Sequence, residues 1–328
     1  MGFLKASVGI LLLHLVLVAA VAQETTFSSQ SNVVLVPALV KNADGEAVYG
    51  LEATDFIVED NGVKQTAYLD EAAESEPLSM VVAIQCGRRA KYEFSRMRGL
   101  DSMLEPLLNG QQDVQIAVVT FDHELKLVRD FTGDSKLIQE DLTSLQSGDH
   151  GAAILDAVDY SVKLLAKQPE RHQRVLLLIS ETRDHGSHFA KLDDVVKLIG
   201  VTNTVVYALP FSPSLSNVLD TERGSNKDEM HAYADVLAPM LMARQAMRKN
   251  VPKAIASMTG GEYDLFASRK GFETRMNSFA NHLHSRYLLS FEPKNPEPGL
   301  HVIRVRLRDP RKETVLFRGN YWAAGVNR

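Results

Sequence analysis

Two stretches, Met80–Ile84 and Val175–Ile179, are apolar at every position. A strand with one wet face alternates apolar and polar residues. One that is apolar throughout needs cover on both faces. In a water-soluble chain that cover comes from helices packed on each side of a mostly parallel sheet. The surrounding sequence supplies such helices. Phe94, Met97, Leu100, Met103, Leu104, Leu107 and Leu108 recur at helical spacing before Gly110. Ser135–Leu145, Ala152–Lys167 and Leu192–Ile199 repeat that spacing, and Val114–Phe121, Leu125–Phe131 and Thr204–Leu209 read as further strands. Residues 212–227 read as a polar surface loop. Met230–Lys249 reads as a helix kinked by Pro239. Val251–Met258, ended by Gly260-Gly261, and Phe272–His284 close the helical part, with a short strand at Tyr263–Phe266 between them.

The ends of the chain read differently. Asn32–Val40, Leu51–Glu59 and Lys64–Leu69 are β-rich, and Asp60-Asn61-Gly62 is a hairpin signal because Asn-Gly accepts positive φ. Tyr287–Phe291, Val302–Leu307 and Thr314–Phe317 return to strands. Ile303, Val305 and Leu307 alternate strictly with Arg304, Arg306 and Arg308, so that strand has one buried face and one basic face. A lone hairpin is marginal. Pairing the two ends into a small β-sandwich gives four segments: a leader at 1–22, an N-terminal β segment at 23–76, an α/β domain at 77–285, and a C-terminal β segment at 286–328 pairing with 32–70.

The leader reads as a cleavable export signal. Lys5 precedes the apolar run Val8–Val18, and Ala20-Val21-Ala22 has the small-x-small form of a cleavage site. The expected location is the periplasm or the cell exterior, with no stable membrane span after cleavage. The net charge of −5 argues against nucleic acid as a main partner. One cysteine excludes a disulfide framework.

Three ordered segments resemble the von Willebrand factor type A domain: Met80–Ile84 running into Gln85-Cys86-Gly87-Arg88-Arg89; Ser147-Gly148-Asp149-His150-Gly151-Ala152-Ala153-Ile154; and Val175–Ile179 running into Ser180-Glu181-Thr182-Arg183-Asp184-His185. The flanking pieces Thr259-Gly260-Gly261, Arg286-Tyr287-Leu288-Leu289-Ser290-Phe291 and Arg318-Gly319-x-Tyr321 resemble exported bacterial relatives of that domain. The resemblance implies a von Willebrand factor A-like (Rossmann-like) sheet and an interaction function. It also implies a metal-ion-dependent adhesion site at the sheet's C-terminal edge, built from Asp-x-Ser-x-Ser, a Thr and an Asp. Here those positions carry Gln85, Gly87, Arg89, Ala152 and Glu181. Hard divalent cations want oxygen ligands, and arginines repel them. The expectation is a degenerate site holding no metal or other cofactor, with the Arg88 or Arg89 guanidinium reaching Glu181 in the ion's place.

The expected activity is therefore protein binding, with no enzymatic function, through Arg88, Arg89, Asp149, His150, Glu181, Arg183 and Asp184. The alternative is a metal-dependent receptor or metal-assisted enzyme on Glu181, Asp184 and His185. His188, Asp149 and His150 are further zinc-ligand candidates. No Gly-x-Ser-x-Gly, phosphate loop or His-Glu-x-x-His is present. Cys86 reads as a small buried hydrophobe, with a thiol made reactive by Arg88 and Arg89 as the alternative. The row Arg304–Arg308 reads as an exposed strand face or, alternatively, a site for an acidic partner or polysaccharide, and Met230, Met240, Met242 and Met247 as core packing rather than an adaptable binding face.

Overall fold

The computed structural model describes residues 33–70, 76–87, 90–109, 113–211, 238–294, 296–309 and 313–324. The leader, Arg88, Arg89, Met230 and the loop 212–227 lie outside these residues.

Four strands open the described chain: β1 (Val34–Lys41), β2 (Phe56–Asp60), β3 (Val63–Gln65) and β4 (Tyr68–Asp70). Asn61 (φ 47°) and Gly62 (φ 82°) make the tight turn between β2 and β3. Two expectations change here. The strand expected from Leu51 starts at Phe56, because Ala53–Asp55 forms a 3-10 turn held by Glu52 N–H donating to Asp55 Oδ2 at 2.7 Å. The strand expected over Lys64–Leu69 is two short strands, one in each of two sheets.

The middle of the chain contributes β5 (Leu78–Gln85), α1 (Leu100–Leu108), β6 (Val114–Phe121), β7 (Leu125–Thr132), α2 (Ser135–Thr143), α3 (Ile154–Ala166), β8 (Gln173–Ile179), α4 (Leu192–Val201), β9 (Thr204–Ala208), α5 (Ala238–Lys249), α6 (Val251–Thr259) and α7 (Arg269–Leu283). Helix α1 begins later than its apolar spacing suggests. Gly99, at φ 91°, breaks the helical path, while Phe94 and Met97 still pack on the core. Pro239 lies in the first turn of α5, where proline costs no hydrogen bond, so it does not kink the described helix. Tyr263–Phe266 forms only isolated parallel bridges to Ala208 and Phe211. The C-terminal strands are β10 (Tyr287–Phe291), β11 (Gly299–Leu307), β12 (Thr314–Phe317) and β13 (Asn320–Ala323). The last was not legible in the sequence.

The central sheet has the order β7-β6-β5-β8-β9, parallel except for the β6–β7 hairpin. Strand β5 is buried along its whole length. Met80, Val82 and Ile84 face a core shared with α1, α2 and α7; Val81 and Ala83 face one shared with α3, α4 and α6. Two hydrophobic cores, one per face, explain why the run tolerates no polar residue. The remaining strands form two antiparallel sheets, β12-β1-β10-β4 and β13-β11-β2-β3. Val36, Ala38, Leu289 and Phe291 of one pack with Val58, Ile303, Val305 and Tyr321 of the other. Both chain ends thus build one sandwich.

The sandwich is bolted to the α/β part where Gly260 meets Arg318 and the Gly319 N–H donates to the Met258 carbonyl at 3.2 Å, while Thr259 and Gly261 fix this segment to β9. Thr259 Oγ1 accepts the Val206 N–H at 3.0 Å. A Cβ on Gly261 would lie 1.8 Å from the Val206 carbonyl oxygen, and one on Gly260 2.4 Å from Arg318 N. The buried Arg318 guanidinium donates to the carbonyls of Asn320, Leu35 and Gly200 and to Asn203 Oδ1, at 2.7–3.1 Å. Burial brings its pKa down to about 10, which leaves it charged at neutral pH.

Candidate functional site

Strand order reverses on either side of β5, so a crevice is expected beyond the C-terminal ends of β5 and β8. Gln85, the last residue of β5, is buried there. Its Oε1 accepts the Glu181 N–H at 2.7 Å, and its Nε2 donates to Glu181 Oε1 at 3.2 Å and to the Gly151 carbonyl at 3.3 Å. The other Glu181 oxygen, Oε2, lies 3.0 Å from His185 Nε2. Glu181 is 6% exposed, whereas the His185 side chain is about half exposed. A buried carboxylate needs such hydrogen-bond partners to offset its lost hydration.

Three glycines bring the loop 147–151 down onto the end of β5. A Cβ on Gly87 would sit 2.3 Å from the Gly151 carbonyl oxygen, and one on Gly148 2.0 Å from Asp122 Oδ2. Gly151 itself, at φ 138°, lies against His123. Gly148 N–H donates to the Cys86 carbonyl at 2.7 Å. Ala152 is fully buried and exchanges both backbone hydrogen bonds with His185, at 2.9 and 3.0 Å. The backbone of the loop 147–151 thus lies directly against the end of β5 and the loop after β8.

Asp122, in the β6–β7 turn, organises the loop from the other side. It accepts the N–H of Glu124 at 2.8 Å and of Asp149 at 2.7 Å. Burial would raise its pKa, but these backbone donors and His123 outweigh it and hold the carboxyl below its ordinary value. Cys86 is buried, its thiol pushed up to about 12 by burial and then by Asp122. A thiol so protonated is a poor nucleophile at neutral pH.

The loop after β8 is braced by two carboxylates. Asp184 Oδ1 accepts the Leu155 N–H at 3.0 Å, near the start of α3, and the Ser187 hydroxyl at 2.6 Å. That oxygen ties the loop to α3 and to Ser187. Asp156, in the first turn of α3, is buried and accepts the N–H groups of His188, Phe189 and Ala190 at 2.8, 3.1 and 2.6 Å. Sequence reasoning missed it. Its one signal was a lone carboxylate inside the apolar start of a helix.

Of the expected residues, Gln85, Gly87, Ala152, Glu181 and His185 come together. Asp149, His150 and Arg183 are exposed at the same edge. The His188 side chain is exposed, while its N–H is tied to Asp156. Glu181 meets an amide and an imidazole here; Arg88 and Arg89 lie outside the described residues. No group of three or more His, Cys, Asp or Glu among the described residues is arranged to hold a metal ion. The basic strand row is partly paired within the sandwich: Arg306 lies 3.4 Å from Glu59, and Arg308 donates to the Thr54 carbonyl. Met247 is buried and Met240 packs on the core, as expected for packing residues.

No curated protein matches the chain. Among solved structures, BatB from Bacteroides thetaiotaomicron aligns at 14% identity and TM-score 0.42, over 63% of this chain and 98% of that one. A von Willebrand factor type A protein from Catenulispora acidiphila aligns at 8% identity and TM-score 0.47, over 90% and 74%. The von Willebrand factor domain of the type V pili tip protein Mfa5 from Porphyromonas gingivalis aligns at 18% identity and TM-score 0.30, over 34% of this chain; the chain spans 39% of its length. Residues 85–185 match the family model of the von Willebrand factor type A domain, and the chain has the α/β fold of that domain type.

Proposed function

We propose that this is an exported, non-enzymatic protein-interaction module whose binding edge works without a divalent cation. The observation that carries the proposal is the closed geometry at the end of β5. Gly87 has no room for a side chain against the Gly151 carbonyl. The Gln85 amide and the His185 ring flank the two Glu181 oxygens. Magnesium wants about six oxygen ligands. Ala152 offers no side-chain oxygen, and the Gln85 Nε2 donor points at the one remaining carboxylate. These residues do not fit the ion that the domain type implies.

The interaction reading rests on the domain type and on this edge, since a fold alone does not dictate an activity. Asp149, His150, Arg183 and the half-exposed His185 are the side chains we assign to contact, with Glu181 beneath them as a fixed support. Arg88 and Arg89 stay in the proposal on sequence grounds. Export rests on the leader pattern; no helix among the described residues is long and apolar enough to cross a membrane.

The Glu181–His185 pair favours a second reading. A carboxylate that orients a histidine is a common support for a metal ligand or a proton-transfer group. It is the weaker reading because no third ligand converges among the described residues and Asp184 Oδ1 is engaged by α3 and Ser187. Affinity capture from an extract of the source cells, using wild type and a Gln85→Ala/Glu181→Ala variant, separates the two. The proposal expects the same partner in EDTA and in magnesium, and its loss in the variant. Loss of capture in EDTA alone would overturn it.

A further inference from the structure

Two of the most exposed large hydrophobic residues stand on loops at this same sheet edge. Phe189 is 84% exposed and Tyr92 is 75% exposed. Tyr92 follows β5 and Phe189 follows β8, and these strands are neighbours. A singly exposed apolar residue is ordinary on a protein surface and says little when its loop is loose. The loop is instead held out. Three consecutive N–H groups, of His188, Phe189 and Ala190, are gathered by the one buried carboxylate of Asp156. Asp184 and Ser187 tie the preceding residues to α3. The Tyr92 turn is likewise closed, with Ala90 N–H donating to the Gly87 carbonyl and Glu93 N–H to the Ala90 carbonyl, both at 2.8 Å. The Glu93 carboxylate beneath it is buried and paired with Arg96 at 2.6 Å.

Pre-ordered aromatics lose little conformational entropy on binding, which is why such residues dominate interfaces. The charge beside Phe189 narrows the partner. Arg183 and Lys191 are exposed on the same loop, while Asp156 is buried and Asp184 is half-buried with its Oδ1 engaged by the Leu155 N–H and the Ser187 hydroxyl.

We propose that Phe189 and Tyr92 are the aromatic anchors of the binding edge, and that they take an acidic protein segment carrying apolar side chains. This rests on the interaction reading above. The test is selection of a displayed random-peptide library on the immobilised full chain, followed by affinity measurement of the enriched peptides on Phe189→Ser, Tyr92→Ser and Arg183→Ala/Lys191→Ala variants. Melting temperatures of all three should match wild type, since the changed side chains are exposed. The expected result is acidic, apolar-containing peptides that weaken about thirtyfold or more on Phe189→Ser, less on Tyr92→Ser, and in a salt-dependent way on the cation variant.

Peptides that bind Phe189→Ser as tightly as wild type, yet lose binding on Gln85→Ala/Glu181→Ala, would overturn the anchors and leave the edge reading standing. Peptides indifferent to both sets would overturn both. Failure to enrich acidic sequences, or a glycan array bound through Phe189 instead, would also refute the proposal.

Discussion

The sheet's C-terminal edge and the bolt between sheet and sandwich use the same materials to opposite ends. Both bring glycines against a foreign backbone: Gly87 against Gly151 at the edge, Gly260 and Gly261 against Arg318 and Val206 at the bolt. Both bury polar side chains with partners supplied. At the bolt, the Arg318 guanidinium is sealed among carbonyls from α4, β1 and its own segment. At the edge, the buried Gln85 and Glu181 end on a half-exposed His185 and are rimmed by exposed loops. The comparison teaches that sequence distinctiveness and functional exposure are separate properties. Thr259-Gly260-Gly261 and Arg318-Gly319 look like signatures, yet they lock the architecture. The edge looks like a damaged motif, yet it is as fully hydrogen-bonded as the bolt.

The sharpest way to break this comparison is Gly261→Val. Its Cβ would meet the Val206 carbonyl, a backbone atom that cannot step aside. We expect a loss of about 3 kcal/mol or more, read by urea unfolding. Arg318→Met should follow closely. It leaves four acceptors without their donor, in two buried and two part-buried hydrogen bonds, and about 3 kcal/mol of stability should go with them. If Met is tolerated without loss, the guanidinium is not the bolt.

Gly87→Ser moves the comparison to the edge, because it restores a serine of the adhesion-site pattern. The new side chain would collide with the Gly151 carbonyl, so stability should fall by about 1–3 kcal/mol without any gain of metal affinity. A variant as stable as wild type that binds magnesium would show that the loop yields easily.

A smaller effect comes from the sandwich core, where a buried histidine takes the place of a buried arginine. His301 Nδ1 lies 2.8 Å from Asp60 Oδ1, and Nε2 lies 2.8 Å from the Glu297 carbonyl. Tyr321 donates its hydroxyl to Asp60 Oδ2 at 2.8 Å. Acceptors thus face both ring nitrogens, which favours the doubly protonated ring. The Asp60 hydrogen bond, working against burial, raises the His301 pKa above its ordinary value. A base with a raised folded-state pKa contributes stability that is complete below its unfolded value of about 6.5 and is lost as pH rises through the folded value. Melting temperature should therefore decline through that window in wild type, and the decline should shrink in His301→Gln.

Much of the fold was legible because its causes are local. The run Met80–Ile84 is apolar because successive residues enter two different cores, and Asn61-Gly62 turns because both residues take positive φ. The split of Lys64–Leu69 between two sheets was not legible, because nothing in its period-two pattern marks a change of sheet. The site was half legible. Gln85, Gly87, Ala152 and Glu181 could be placed by motif order. The approach of Gly151 to Gly87 could not, since it joins segments far apart in sequence and leaves no trace beyond two glycines. Asp156 was hidden for a similar reason: its three donors belong to residues 188–190.

The proposed function stands on an edge that takes up no divalent ion, its two Glu181 oxygens met instead by an amide and an imidazole. Titration calorimetry of the full chain with magnesium and manganese at neutral pH tests it most directly. The account predicts no saturable heat and an unchanged melting temperature in EDTA. Stoichiometric uptake of either ion, abolished by Glu181→Ala, would contradict it.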